Sequence, residues 1–139
     1  MTCPPKDAEG FMRWLEKKKA CEEARAWAQG KDLLAFWKTC ECGDWLIWLL
    51  SRCDYEWRTD TEASEYHCVM APVLAEYHRV TDAAWSDYKH TTDAAWSERV
   101  ANEAVVECDR VTDMALRRYQ RAMALAIRRI VGNPFQEDK

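Results

Sequence analysis

The sequence predicts an all-α protein: short N-terminal helices packed on a long antiparallel helical hairpin built on an 11-residue repeat. Three observations carry that expectation. Gly and Pro number only four each in 139 residues, so turns are few and connections short. From Glu65 the chain reads as six consecutive elevens: EYHCVMAPVLA, EYHRVTDAAWS, DYKHTTDAAWS, ERVANEAVVEC, DRVTDMALRRY and QRAMALAIRRI. No stretch of the repeat alternates apolar and polar residues at the period of two that a half-buried strand requires.

Residues 1–53 read as a subregion of short helices. Pro4 and Pro5 precede a predicted helix over Lys6 to Lys19, with Phe11, Met12, Trp14 and Leu15 as its apolar stripe. Cys21 to Gln29 follows, acidic at its start (Glu22, Glu23) and closed by Gly30, as the helix dipole and a left-handed C-terminal turn favour. Asp32 is placed to cap Leu33 to Thr39, whose buried side is Leu33, Leu34, Phe36 and Trp37. Gly43-Asp44 opens Trp45 to Leu50, apolar on all faces and therefore the expected central core helix. Arg52 to Asp60 is polar and reads as the connection to the second half.

In the repeat, the first column is Glu65, Glu76, Asp87, Glu98, Asp109 and Gln120, and the second and third elevens share TDAAWS. Eleven residues make three turns at about 3.67 per turn, close to a relaxed helix, so each column stays on a slowly drifting face. Residues 61–131 are therefore expected to be helical. A continuous helix of 66 residues would run about 100 Å, whereas a compact chain of this length spans roughly 35–40 Å. Folding back is the economical solution, with Pro72 and the run Lys89-His90-Thr91-Thr92 as the weak points. The apolar stripe changes phase near the second of these. It passes through Tyr66, Val73, Tyr77, Ala84 and Tyr88, then through Val105, Cys108, Val111, Ala115, Tyr119, Met123, Ile127 and Ile130.

The length predicts one domain over residues 1–139, with 132–139 as a tail, and the 48% apolar content predicts a globular one. No run reaches 18 uncharged apolar residues, and the start lacks the basic-then-apolar build of a signal peptide, so a cytoplasmic location is expected. Seven cysteines, an odd number in a reducing compartment, argue against a disulfide framework. Cys40 and Cys42, with Cys53, His67 and Cys68 further on, lack the second pair that structural zinc requires. Metal binding through Cys40, Cys42 and Cys53 is thus a minor alternative to buried thiols, and no metal or cofactor is expected.

The net charge of −4 conceals segregation. Residues 54–113 carry fourteen acidic and five basic side chains, whereas residues 114–131 carry five Arg and no acid. Asp82 and Asp93 fall near Trp85 and Trp96, and Asp87 and Glu98 belong to the acidic column. Carboxylates beside large aromatics suit protein recognition, because charge steers the encounter and aromatics anchor it. Asp82, Trp85, Asp87, Asp93, Trp96 and Glu98 are accordingly the candidate partner-binding residues. The competing structural reading packs Trp85 and Trp96 against the N-terminal helices and pairs Arg117, Arg118 and Arg121 with the acidic helix beside them.

No glycine-rich phosphate loop, G-x-S-x-G, H-E-x-x-H or paired-thiol motif is present, so no enzymatic activity and no catalytic residues are expected. His67 and His78 lie one repeat apart, about 16 Å along a helix, too far to share a metal. The acidic balance also argues against direct nucleic-acid binding.

Ala20-Cys21, Glu23-Ala24 and Trp27, then Gly43-Asp44-Trp45 with Trp48-Leu49, then the Ala-Ala-Trp units of the repeat, resemble a bacterial and phage family of immunity-like proteins. The likeness covers about residues 14–50 and, loosely, 76–97. The repeat here is poorer in Ala and richer in Asp and Glu than the family pattern. The resemblance implies a protein inhibitor, either a toxin-neutralising immunity protein or a phage anti-defence (anti-CRISPR-like) protein that blocks a nucleic-acid-handling effector. Self-assembly through the repeat face, as a homodimer or larger structure, is the expectation from a different class.

Overall fold

The structure is a computed structural model describing residues 3–53 and 60–135. Six helices, and no strand, are found among them: α1 (Ala8–Lys17), α2 (Glu22–Ala28), α3 (Leu33–Thr39), α4 (Gly43–Arg52), α5 (Asp60–Asp93) and α6 (Glu98–Val131). No helix is long and apolar enough to cross a membrane among the described residues.

Local signals set several of the short-helix ends. Asp7 caps α1 by accepting from the Gly10 N–H at 2.7 Å, and Asp32 caps α3 by accepting from the Ala35 N–H at 2.8 Å. Lys19 takes a left-handed φ of 62° and turns the chain out of α1, while Gly30, at φ 80°, closes the α2 end. The α4 helix starts at Gly43, whose backbone lies directly on α6, where a Cβ would collide with Met123.

The four short helices and the base of the hairpin share one core. Phe11, Leu15, Leu33, Phe36, Trp37, Leu46 and Leu49 pack with Met70, Met123, Ala124, Ile127 and Phe135. Aromatic edges lock it: Trp27 meets Phe36 and Trp45, and Trp14 meets Trp48. Trp37, 1% exposed, donates from Nε1 to the Gly132 carbonyl at 2.9 Å. Of the predicted 132–139 tail, residues 136–139 lie outside the described residues, and Phe135 packs edge-on against Trp37. The α4 helix buries Leu46, Leu49 and Leu50 but leaves Ile47 partly in water, so it is one-sided rather than engulfed.

The second half is the antiparallel hairpin, each helix 34 residues and about 51 Å long. It exceeds the span of a compact chain because the N-terminal helices support only its base. The reversal occupies residues 94–97, just beyond the polar run, and Ser97 caps α6 by accepting from the Val100 N–H. Thr92 stays inside α5, its hydroxyl donating to the Tyr88 carbonyl. Pro72 also lies within α5, which continues through it. Of the predicted stripe on α6, Cys108, Ala115, Met123 and Ile127 are buried, while Val105 is exposed. Apart from Asp60 and Arg52, which belong to helices, the predicted 52–60 connection lies largely outside the described residues.

Candidate protein-binding surface

Gly43, Asp44 and Cys42 of the body meet α6 at Met123 and Gln120. From Gln120 to Ser97 is 23 residues, so the hairpin projects about 35 Å beyond the last of these contacts. Small and medium side chains hold this arm together: Thr81 and Ala84 of α5, Cys108 and Ala115 of α6, with Tyr77 against Tyr119 at 5.3 Å. The Thr81 hydroxyl donates to the Tyr77 carbonyl at 2.9 Å, so its oxygen is satisfied within the seam. Residues 76–115 carry nine acidic and four basic side chains, a net of −5.

The structure does not gather the six predicted residues on one face. At about 100° per residue, Asp82 and Asp93 stand within about 20° of each other on α5, with Trp85 about 60° from Asp82. Asp87 is about 140° from Asp82, lining the groove between α5 and α6 on the other flank. Trp96 sits in the reversal itself, and Glu98 opens α6, where its carboxylate complements the helix dipole. The column that looked like one acidic row is split by the hairpin, because Glu98 and Asp109 run back down a different helix.

The packed reading of the two tryptophans is overturned. Trp96 is 87% exposed and Trp85 57% exposed, the latter touching only the edge of Tyr88 at 5.6 Å among ring contacts. The N-terminal helices are at the opposite end of the hairpin, so they reach neither. Most of the carboxylate charge here is unopposed. Arg79 holds Glu76 and Arg110 holds Glu107, and in each pair the guanidinium hydrogen bond pulls the carboxyl below its ordinary range. Among the described residues no ion pair involves Asp82, Asp87, Asp93 or Glu98. Of the Arg cluster expected to pair with α5, Arg118 lies near enough to Glu76 to help lower its carboxyl, though no ion pair joins them, and Arg121 turns to the body instead. Arg121 meets Glu41 of the body at 3.5 Å, and Arg128 caps the end of α3.

Sequence reasoning missed the groove. Its distal part, about 500 Å³, has Val80, Ala84, Ala104 and Val111 on its floor; a proximal part of about 360 Å³ continues past Tyr77 and Tyr119. The signal available was the small size of the lining residues, Ala83, Ala84 and Ala104.

The cysteines fill structural places. Cys40 and Cys53 are fully buried in the core, and the Cys40 thiol donates to the Cys42 carbonyl at 3.4 Å. Burial pushes the Cys40 thiol up to about 11. His67, His78 and His90 are exposed on α5. Among the described residues no three His, Cys, Asp or Glu side chains converge as a metal site. No protein-family model matches the chain, and neither a curated protein nor a solved structure does.

Proposed function

We propose that this chain works by binding another protein, using the free end of the hairpin as its contact surface. The observation that carries the reading is the exposure of Trp85 and Trp96, 57% and 87%, at the end of an arm with a net charge of −5. A tryptophan offers about 150–250 Å² of anchoring surface, and such residues head the list of those on which interfaces depend. The carboxylates of Asp82 and Asp93 flank Trp85 on the same side of α5 and would steer a basic partner into register.

A partner with a basic, nucleic-acid-binding surface fits this chemistry. The chain would then act as an inhibitor, of the anti-defence kind that occupies a nucleic-acid-handling effector or of the immunity kind that neutralises a toxin. The inhibitor reading also draws on the resemblance of residues 20–27 and 43–49 to the immunity-like family, segments that lie in the body rather than in the arm.

The test captures proteins from lysate with the tagged full-length chain at low and high salt. Trp85→Ala/Trp96→Ala and Asp82→Lys/Asp93→Lys variants run beside it. The reading expects one basic protein, released by salt and lost from both variants, whose helical circular-dichroism signal is unchanged. Equal retention by both variants refutes it.

A further inference from the structure

The groove-side flank of α6 carries a stripe that the fold leaves mostly in water: six of its eight members are exposed, and Val100 and Val111 are half-buried at the groove edge. Its members are Val100, Glu103, Glu107, Val111, Met114, Arg118, Arg121 and Leu125. Their spacings are three or four residues throughout, and at about 100° per residue all eight lie within about 80° of arc. The body packs on a different side of the same helix, through Gln120, Ala124 and Ile127. Met114 and Leu125 are 44% and 63% exposed, large apolar side chains left in water on a helix whose inner face is already satisfied.

The order of chemistry along this stripe is apolar, acid, acid, apolar, then apolar, base, base, apolar. Reversed and laid on itself, it matches. Val100 comes opposite Leu125, Glu103 opposite Arg121, Glu107 opposite Arg118 and Val111 opposite Met114, and the midpoints of the four pairs agree to within half a residue. A two-fold axis through that midpoint, perpendicular to the helices, generates all four pairs twice over. We infer that two copies of this chain dock antiparallel along the α6 flank, each tip beside the other's base, to complete a four-helix bundle.

The partner chemistry is set by the charges. A second copy docked parallel would bring Glu103 and Glu107 onto their own counterparts and Arg118 onto Arg118, which like-charge repulsion opposes. A purely basic helix would meet Arg118 and Arg121. The antiparallel copy offers an opposite charge at each of the four positions and an apolar side chain at the other four, in the manner of coiled-coil pairing. The same rotation lays the α5 flanks together, where Val80 and Ala83 border the groove and Arg79 is already held by Glu76. The existing partners of the stripe are exchangeable, since Glu103–Arg99, Glu107–Arg110 and Arg121–Glu41 are all exposed surface pairs. The face measures about 38 Å from Val100 to Leu125 by about 20 Å across two helices. That is about 750 Å² per copy, near the ~800 Å² of a stable specific interface. Asp82, Trp85 and Asp93 stay on the uncovered flank of α5, so pairing leaves them free.

The test measures molar mass by light scattering and sedimentation for the full chain at high protein concentration and low salt. Wild type is expected at twice 16.3 kDa. Glu103→Lys/Glu107→Lys and Arg118→Glu/Arg121→Glu are each expected at the single-chain mass with the helical signal intact. An equimolar mixture of the two variants is expected to return to twice that mass, because each then offers the charges the other lacks. A monomeric wild type, a double variant that still pairs with itself, or a mixture that stays monomeric overturns the inference.

Discussion

Arg128 ties the end of α3 to the hairpin, and its removal has a size that follows from the structure. Its Nη1 donates to the Trp37 carbonyl at 3.2 Å and to the Cys40 carbonyl. Both acceptor residues are at most 1% exposed, and both carbonyls lie at a helix end, where no intrahelical N–H serves them. A hydrogen bond from a charged donor contributes about 1.5–3 kcal/mol, and a buried acceptor left bare costs about 1–3 kcal/mol. The guanidinium is half-buried, so the lower end applies. Arg128→Met keeps the apolar stem and removes both bonds, for an expected loss of about 2–3 kcal/mol. At roughly 3–5 °C per kcal/mol for a chain of this length, Tm falls by roughly 6–15 °C. Arg128→Lys keeps a charged donor on a shorter stem that ends short of the Nη1 position, so it is expected to reach one carbonyl and recover about half of the loss. Urea and thermal unfolding read both variants, with the urea slope unchanged if only stability has moved. Arg128→Met within about 0.5 kcal/mol of wild type, the scatter of ordinary surface changes, would refute the reasoning.

Other consequences are checked as directly. Because burial raises the Cys40 thiol from 9.0 to about 11, the unfolded chain gives up this proton first as pH rises. The thiol's contribution is therefore complete below pH 9 and is lost towards pH 11, on the order of 2–3 kcal/mol at most. Cys40→Ala should flatten the alkaline limb of the stability profile only in part, since Tyr66 is also pushed up, to about 12; an unchanged limb would count against it. Iodoacetamide should modify Cys3, Cys21 and Cys68 quickly in the native protein and Cys40, Cys53 and Cys108 only on unfolding. Mass spectrometry reads the difference, and rapid native labelling of Cys53 would contradict the packing. Pro72→Ala restores a backbone donor inside α5, so it should stabilise the chain by about 1–3 kcal/mol. A lower urea midpoint would mean that the proline is needed where it stands.

Much of the fold was legible because its determinants are local. Asp32 ahead of Leu33 and Gly30 after Ala28 are chemical signals that act within a few residues, and the structure uses both. The 11-residue period records which side chains face inward on any long helix, so two long helices followed from it. The turn was placed a few residues early because Lys89-His90-Thr91-Thr92 has the composition of a cap, yet Thr92 satisfies its own hydroxyl inside the helix. The candidate site was less legible. Asp82, Trp85 and Asp93 share one flank of α5, as their spacing implies, whereas Asp87 lies on the other; a column on a linear repeat carries no information about which flank the second helix covers.

Helix content and approximate boundaries, the hairpin and the acid-to-base gradient along it were thus properties of the sequence, since period, caps and charge are read residue by residue. Exposure was not. Whether Trp96 is core or surface depends on how far four short helices reach along a 34-residue neighbour, and that distance is set by the packing of Gly43 on Met123 and Trp37 on Gly132. Such contacts join residues 80 to 95 apart in the chain, where no local pattern constrains the geometry. Tertiary packing left the end of the arm bare, and with it the two tryptophans and the flank of α6.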